Sequence, residues 1–321
     1  MTPDLEDRFT GVLFGQAVGD ALGLGTEFMS RERVRNLYEE GLTSYSQIYR
    51  DAHRKRWKRG DWTDDTEQMT LIVDSLLENQ AVDVCDIARR LYHWEKQGGL
   101  GVGMTVSAVL HHPEFLANPH AAANEVWESS GRWAAANGAV MRTGGLGLWE
   151  HHDESCVIHN AEEVCKITHA DPRCIASCVA VCVAIRRLLL GESDIQALID
   201  DVATIAIEYD ARVEPFFELA QGEDIEALEL DDEESMGYTL RTLAAGFWAL
   251  RHATTFEEGI HRIVHQGGDA DTNASVAGAL LGAHFGYDAI PRRWIDGLSW
   301  KNYMDRIAYE LFVACTKKSR P

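Results

Sequence analysis

Two segments rich in aspartate, DWTDDT at 61–66 and GGDADTN at 267–273, carry side chains that could do chemistry together. Next to a predicted helix, Thr63, Asp64 and Asp65 of the first segment offer two carboxylates and a hydroxyl, and Asp269, Asp271 and Thr272 of the second offer the same. Oxygen donors of this kind suit Mg²⁺, Mn²⁺ or Ca²⁺, and neither segment offers a cysteine or an obvious histidine ligand for zinc. Together they would suffice for two cations that hold substrate oxygens and polarise a water. The candidate metal ligands are Thr63, Asp64, Asp65, Asp269, Asp271 and Thr272.

Each segment also has a purely structural interpretation. Thr63 or Asp64 could cap the following helix, with Glu67 completing a capping box. GGDADTN could be a turn followed by an N-cap. However, the closely spaced carboxylates of Asp269 and Asp271 repel each other, and two such segments in one chain favour compensation by cations.

The elements that position these segments are predicted to be helical, which gives an all-α fold. SYSQIYR at 44–50 is the best candidate for a strand. No change in composition divides the chain, so we expect a single domain over 1–321, with an exposed acidic connection at 222–235. The predicted helices lie near 9–17, 69–77, 84–94, 171–191, 195–209, 238–252, 255–264, 273–285 and 303–314.

Two glycine stripes recur every four residues, at 11, 15, 19 and 23 and at 278, 282 and 286. A glycine inside a helix costs about 1 kcal/mol relative to alanine. A row of them therefore predicts close approach of another backbone, either in core packing alone or where helices meet to build a site. Asp20 lies within the first stripe and is expected to be a buried hydrogen-bond acceptor, and Glu27 follows the end of that helix.

Composition limits the class of protein. The 321 residues are 45% hydrophobic, with a net charge of −21 and seven cysteines, as in a globular protein with a real core. No stretch approaches the roughly 18–20 apolar residues of a membrane span, and the acidic N-terminus does not resemble a signal peptide. We therefore expect a soluble, cytoplasmic protein. The charge argues against general nucleic-acid binding, and the basic run RKRWKRG at 54–60 is either a solvated loop or a contact for an anionic substrate.

Three motifs in this order, GxxxGDALG…E, WTDDT and GGDADTNA, resemble the ADP-ribosylglycohydrolase family, which includes ADP-ribosylarginine hydrolases and dinitrogenase-reductase-activating glycohydrolases. NGAVMRTGGLGL at 137–148 and THADP at 168–172 resemble further family segments. The resemblance covers roughly residues 9–286 and implies a compact domain of orthogonal helices around a cleft with two magnesium or manganese ions.

The resemblance also implies roles for individual residues. Glu27 matches a glutamate beside the metals, and Glu27, Asp64 or Asp65 would act as general acid or base. The residues expected around the ADP-ribose are Gly101, Gly103, Thr105, Asn137, Gly138, Ala139 and His169.

The implied activity is metal-dependent hydrolysis of the bond between ADP-ribose and a protein side chain, with arginine favoured. Two alternatives remain: hydrolysis of another ADP-ribosyl conjugate (serine-linked, at a nucleic-acid end or a small molecule), and binding of ADP-ribose without catalysis. One position departs from the pattern, because arginine-directed bacterial relatives often carry an aspartate where this chain has Gly101. The sequence leaves the acceptor and the oligomeric state open.

Overall fold

A computed structural model describes residues 3–318, and within this range the chain forms helices and no strands, apart from one isolated bridge between Ala136 and Tyr238. Six short 3₁₀ helices connect the α-helices, at Tyr45–Gln47, Arg54–Arg56, Gly144–Gly147, Ala211–Val213, Ile225–Leu228 and Tyr287–Ala289. The α-helices are α1 (Leu5–Gly23), α2 (Arg31–Leu37), α3 (Asp64–Asn79), α4 (Val84–Lys96), α5 (Met104–Leu110), α6 (Pro119–Ser129), α7 (Val140–Thr143), α8 (Glu154–Cys165), α9 (Pro172–Leu189), α10 (Ile195–Ile207), α11 (Glu214–Gln221), α12 (Thr239–His252), α13 (Phe256–Val264), α14 (Ala270–Phe285), α15 (Arg292–Ile295) and α16 (Lys301–Lys318).

The all-α prediction is confirmed, and local signals explain several helix boundaries. The side chain of Asp171 accepts a hydrogen bond from the backbone N–H of Arg173, and Pro172 occupies the first position of α9. Such a start suits proline because the first N–H groups of a helix have no intrahelical acceptor. Gly191, with φ +93°, follows the end of the same helix.

Residues 44–50, the best strand candidate in the sequence, do not form a strand. Tyr45–Gln47 is a 3₁₀ turn, in which the hydroxyl of Ser44 accepts a hydrogen bond from the backbone N–H of Ser46. Serine side chains that bond to nearby backbone groups compete with strand pairing. This local competition outweighs the alternation of apolar residues in the segment.

The two glycine stripes lie against each other where α1 packs along α14. A methyl group on Gly15 would overlap the carbonyl oxygen of Gly278, and one on Gly282 would overlap that of Gly11. The predicted backbone approach is therefore confirmed, and both helices are buried on almost all sides. Gly286 does not belong to this contact, because it ends α14 at φ +83° and faces Asp7.

Other parts of the chain pack around this pair of helices. Cys174, Cys178 and Cys182 lie four residues apart on one buried face of α9, and no disulfide joins the cysteines of residues 3–318. The connection at 222–235 exposes most of its acidic side chains but is anchored by three buried residues, Ile225, Leu228 and Leu230. Among residues 3–318, no helix has the length and apolar character needed to cross a membrane.

Candidate active site

The N-terminus of α3 is capped by a residue from another helix. Asp20 of α1 is fully buried, and its carboxylate accepts hydrogen bonds from the backbone N–H of Thr63 at 2.8 Å and of Thr66 at 3.0 Å. The hydroxyl of Thr66 donates a third, at 2.6 Å. Burial, the largest effect, raises the pKa of Asp20 to about 6. The expected role of Asp20 as a buried acceptor is confirmed.

The capping-box interpretation of DWTDDT is therefore wrong. Thr63 occupies the N-cap position, but its side chain makes no capping hydrogen bond. Glu67 instead accepts a hydrogen bond from the indole N–H of Trp94 at 2.6 Å. Because Asp20 already accepts from the backbone N–H groups of Thr63 and Thr66, the side chains of Thr63, Asp64 and Asp65 are available for another task.

The second segment is also not a side-chain cap. Asp269 lies at the N-cap position of α14, yet its carboxylate caps none of the backbone N–H groups of the following turn. It accepts one from the amide of Asn137 at 2.8 Å. Gly267 and Gly268 have φ angles of +73° and +65°, where a side chain would be strained and would overlap neighbouring backbone. These glycines let the chain turn tightly just before Asp269.

Backbone pairing joins this glycine turn to the residues after α1. The N–H of Gly268 donates to the carbonyl of Met29 at 2.8 Å, and the N–H of Phe28 donates to the carbonyl of Gly268 at 2.6 Å. Glu27 is thereby brought to the second segment. Its carboxylate and those of Asp269 and Asp271 each place an oxygen within 4.8 Å of the others.

The first segment meets the second through a side-chain contact. The hydroxyl of Thr272 lies 3.3 Å from Oδ1 of Asp65. All three predicted acidic motifs, from α1, α3 and α14, therefore converge on one place. The close packing of α1 on α14 along the glycine stripes is what allows helix starts from distant parts of the sequence to come so near.

The cluster is strongly negative and buried. Glu27, Asp64, Asp65 and Asp271 are each less than a tenth exposed, and between residues 3 and 318 no lysine or arginine forms an ion pair with any of them or with Asp269. Burial first, and then repulsion by the neighbouring carboxylates, raises the pKa of Asp64, Asp65 and Asp271 well above the usual range. The pKa of Asp269 is also raised, chiefly by burial.

The donor set fits divalent cations. Two buried oxygens, Oγ1 of Thr63 and Oδ2 of Asp65, have no hydrogen-bond partner among the described residues. A buried polar atom without a partner costs about 1–3 kcal/mol, and a cation would satisfy both atoms while offsetting the carboxylate charge. Oxygen donors without cysteine are the ligands that Mg²⁺ and Mn²⁺ prefer. The acidic cluster could therefore hold metal.

Glu27 is held by two residues that sequence reasoning did not select. Its Oε2 lies 2.6 Å from Nε2 of His53, and its carbonyl accepts a hydrogen bond from the guanidinium of Arg54. Arg54 also donates to the carbonyl of Gly25 at 3.1 Å. The sequence drew attention to this region only through the basic run at 54–60. The first arginine of that run, Arg54, is buried.

The predicted glycine loop contributes one clear neighbour to the cluster. A methyl group on Gly101 would overlap Oδ1 of Asp64, and the φ angle of Gly101 is +97°. Gly103 precedes α5 with open space around it, and Thr105 lies half-buried in that helix. Gly101 is thus brought to the acidic cluster, whereas no contact of Gly103 or Thr105 with it is found within residues 3–318.

The loop before α7 approaches the cluster from another side. Besides bonding to Asp269, the amide of Asn137 donates to the hydroxyl of Thr242 at 3.0 Å. A methyl group on Gly138 would lie 3.2 Å from Cε1 of His169. Ala139 is fully buried at the start of α7, so its predicted contact with substrate stays a prediction.

A buried hydrogen-bond chain connects His169 to the first segment. Gln68 donates to Oδ2 of Asp64 at 3.2 Å, and Arg142 donates to Gln68 at 2.6 Å and to the hydroxyl of Thr168 at 2.5 Å. That hydroxyl lies 2.8 Å from Nδ1 of His169. Gln68 was missed because its local sequence is that of an ordinary helix residue. Arg142 lies in the family-like segment at 137–148, but the resemblance assigned no role to it.

His169 presents a free nitrogen beside Gly138. Burial, with a smaller effect of Arg142, lowers the pKa of His169 to about 3, so the ring is neutral at pH 7. The hydroxyl of Thr168 accepts from Arg142 and can donate its own hydrogen to Nδ1, which leaves Nε2–H as a donor. Nε2 is buried and has no partner within the described residues.

Comparison with known proteins identifies the relatives of this chain. The ADP-ribosylglycohydrolase family model matches residues 1–321. An ADP-ribosylarginine hydrolase, Tri1 of Pseudomonas putida, is 25% identical over 97% of this chain and 80% of its own length. The ADP-ribosyl-[dinitrogen reductase] glycohydrolase of Rhodospirillum rubrum is 29% identical over 93% and 92%. A solved structure, an ADP-ribosylglycohydrolase-related protein complex, superposes with a TM-score of 0.72 at 28% identity, covering 97% of this chain and 99% of the other.

Proposed function

The chain belongs to the ADP-ribosylglycohydrolase family, and we propose that it hydrolyses the glycosidic bond between ADP-ribose and a modified protein side chain, releasing free ADP-ribose. The convergence of the two aspartate-rich segments beside Glu27 carries this proposal. A buried cluster of carboxylates that has no lysine or arginine partner among residues 3–318 is costly to maintain. A protein that merely binds ADP-ribose would not need it, which argues against a non-catalytic role.

Two Mg²⁺ or Mn²⁺ ions would be held by the six candidate ligands from the two segments. When bound, they would offset the carboxylate charge, hold ribose oxygens of the substrate and polarise a water. The unpartnered oxygens of Thr63 and Asp65 support this assignment, as does the absence of arginine or lysine partners among residues 3–318.

We assign general acid–base work to Glu27 ahead of Asp64 and Asp65. Cleavage of a glycosidic bond passes through an oxocarbenium-like state and requires a proton for the leaving group. Asp64 and Asp65 would be engaged as ligands, whereas Glu27 is hydrogen-bonded to His53, which is partly exposed to solvent. The pair could therefore carry a proton between the buried site and bulk water.

Substrate contacts follow from the loops around the cluster. Nε2–H of His169 is a free donor beside Gly138 and could bind an oxygen of the ADP-ribose. Asn137 would fix one edge of the cleft, since its amide is bonded to Asp269. Gly101 leaves room next to Asp64 that any side chain would fill.

Arginine is the favoured acceptor, because the named relatives include an ADP-ribosylarginine hydrolase. Gly101 supports a second candidate, an enzyme for another ADP-ribosyl conjugate such as a serine-linked one. Arginine-directed bacterial relatives often carry an aspartate at the position that Gly101 resembles, and here that position lies against Asp64 without contributing a carboxylate. A cytoplasmic location agrees with the absence of disulfides among residues 3–318, since reducing compartments disfavour disulfide formation.

The deciding experiment measures free ADP-ribose released from arginine-linked and serine-linked substrates, with Mg²⁺ or Mn²⁺ and again with a chelator. Release from one linkage that stops with the chelator would establish both activity and acceptor class. Asp65→Asn should abolish release, whereas Glu67→Gln, in the same helical turn but bonded to Trp94, should leave most of it. No release from either linkage would contradict the proposal.

A further inference from the structure

Residues 50–59 form an island of positive charge on a strongly acidic protein. The chain has 30 lysines and arginines and a net charge of −21. Within the part of the chain that the structure describes, none of the island's exposed cations forms an ion pair with a carboxylate, and the one aspartate of the segment, Asp51, is paired with the buried Arg54. The exposed cations are Arg50, Lys55, Arg56, Lys58 and Arg59.

This island is held in a defined conformation. Arg54 anchors it from below through hydrogen bonds to the carbonyls of Gly25 and Glu27. The guanidinium of Arg50 donates to the carbonyl of Trp57 at 2.5 Å, and that of Arg59 donates to the carbonyl of Ile48. The positive charges are thus presented by a segment with several tertiary hydrogen bonds.

A row of aromatic rings connects the basic island to the candidate active site. Arg56 stacks on the ring of Trp57 at 4.9 Å, and the ring of His53 lies 5.2 Å from both Trp57 and Phe28. His53 also bonds to Glu27. Phe28 is 58% exposed and has a φ angle of +57°, which is unfavourable for a bulky side chain. The surface that carries the basic island therefore adjoins Glu27 of the candidate active site.

We propose that the basic island docks an acidic segment of the modified protein, close to the side chain that carries ADP-ribose. This inference rests on the proposed function and deepens it by defining a class of protein substrate. Unpaired cations around a cleft attract negative partners over about a Debye length, roughly 8–10 Å. They would counter the repulsion that the rest of this acidic surface exerts on an acidic target.

The size of the island favours a protein segment over a nucleic acid. Nucleic-acid binding requires many phosphate contacts along an extended basic surface, and the charge of this chain outside residues 50–59 is strongly negative. An acidic segment of a few residues matches five exposed cations within ten residues. Docking of this kind should change the association rate and its salt dependence more than the chemical step.

The test uses the triple variant Lys55→Glu/Arg56→Glu/Lys58→Glu. Its KM for an ADP-ribosylated peptide with flanking glutamates should rise about tenfold relative to the wild-type enzyme, with kcat within about twofold. Raising the salt to about 0.3 M should increase the KM of the wild-type enzyme by a similar factor. Turnover of ADP-ribosyl-arginine without a peptide should be unchanged. The matched control, Arg89→Glu/Arg251→Glu/Lys317→Glu, makes the same charge change at other exposed positions and should keep the original KM.

A binding measurement separates failure of this proposal from failure of the proposed function. Fluorescence anisotropy would compare a labelled glutamate-rich peptide, its glutamine counterpart and a single-stranded oligonucleotide, none of which carries ADP-ribose. Weaker binding of the glutamate peptide by the triple variant supports docking even if no turnover is found. Equal binding by both proteins, tighter binding of the oligonucleotide, or an equal loss of turnover on peptide-free ADP-ribosyl-arginine would each overturn the proposal.

Discussion

Without metal, the Asp271→Asn variant should be more stable than the wild-type protein. With metal bound, it should be less stable than the wild-type protein. The substitution keeps the shape of the side chain but removes one negative charge from the acidic cluster. Asp271 places a carboxylate oxygen within 4.8 Å of oxygens of Glu27 and Asp269. Without cations, that charge is repelled by both neighbours. With cations, the same charge attracts them.

The magnitude follows from this spacing. Two unit charges 4.8 Å apart interact by about 3.5 kcal/mol at an effective dielectric constant of 20. Proton uptake by the buried carboxylates relieves part of the repulsion, because the pKa of Asp271 is raised, chiefly by burial. A net gain of about 2 kcal/mol remains, which corresponds to a Tm increase of about 3 °C for a chain of this length.

The assay is thermal unfolding of both proteins with a chelator and with Mg²⁺ or Mn²⁺. Metal at about 100 times its Kd should stabilise the wild-type protein by about 2.7 kcal/mol. The Asp271→Asn variant should lose most of this stabilisation. The order of the two Tm values should therefore reverse between the conditions. Asp201→Asn serves as the control, because that side chain is 69% exposed and its loss should shift neither Tm by more than about 1 °C.

Two results would refute this reasoning. If Asp271→Asn lowers the Tm in the presence of the chelator, the carboxylate makes a favourable contact that the charge argument omits. If Mg²⁺ and Mn²⁺ raise the Tm of both proteins equally, Asp271 is not a ligand. Loss of ADP-ribose release with an unchanged metal response would instead assign Asp271 to substrate binding.

Three further predictions test the packing and the hydrogen bonds of residues around the candidate active site. Gly15→Ala should lower the free energy of unfolding in urea by about 3 kcal/mol, because its methyl group would overlap a carbonyl of the facing helix. Gly103→Ala should leave the same free energy nearly unchanged, because the space around Gly103 is open. Gly101→Ala should abolish stabilisation by Mg²⁺, since its methyl group would overlap the carboxylate of Asp64. Gly98→Ala is the control, because Gly98 has a similar positive φ angle but no neighbouring atom. An equal loss of Mg²⁺ stabilisation in Gly98→Ala would contradict the explanation. His265 accepts a backbone hydrogen bond in its neutral form, and burial lowers its pKa to about 4. Its stabilising effect should be present above about pH 6.5 and lost as the pH falls towards 4, by about 2 kcal/mol, and His265→Gln should flatten this pH dependence in chemical unfolding.

Features that repeat along the sequence were predictable. Helical periodicity gives the all-α fold because each long helix here has a side to bury. The two glycine stripes predict backbone contact because only such contact explains several costly glycines on one face, although their sequence does not name the partner. In the structure the stripes are partners of each other. Short helices such as α5 and α7 were not predicted, since one or two turns are too few to show a period.

Residues whose roles depend on contacts between distant segments were not predictable. His53 and Gln68 lie in ordinary loop and helical sequence, and Arg142 lies in the family-like segment at 137–148 without an assigned role. Each gains its role only from the tertiary structure, in which His53 reaches Glu27 and Gln68 links Arg142 to the first acidic segment. Their local sequence has no spacing or composition that would indicate these bonds.

The two aspartate-rich segments illustrate why local sequence alone could not decide between a helix cap and a metal ligand. Aspartate and threonine serve both purposes, and both purposes place them at the start of a helix. In the first segment, the cap comes from Asp20, which lies 43 residues before Thr63 in the sequence and accepts hydrogen bonds from the backbone N–H groups of Thr63 and Thr66. A helix start capped from another helix releases its own oxygen-bearing side chains. Asp20→Ala should therefore disturb the cluster even though Asp20 is not itself one of the candidate ligands, because Thr63 and its neighbours would turn back to cap α3.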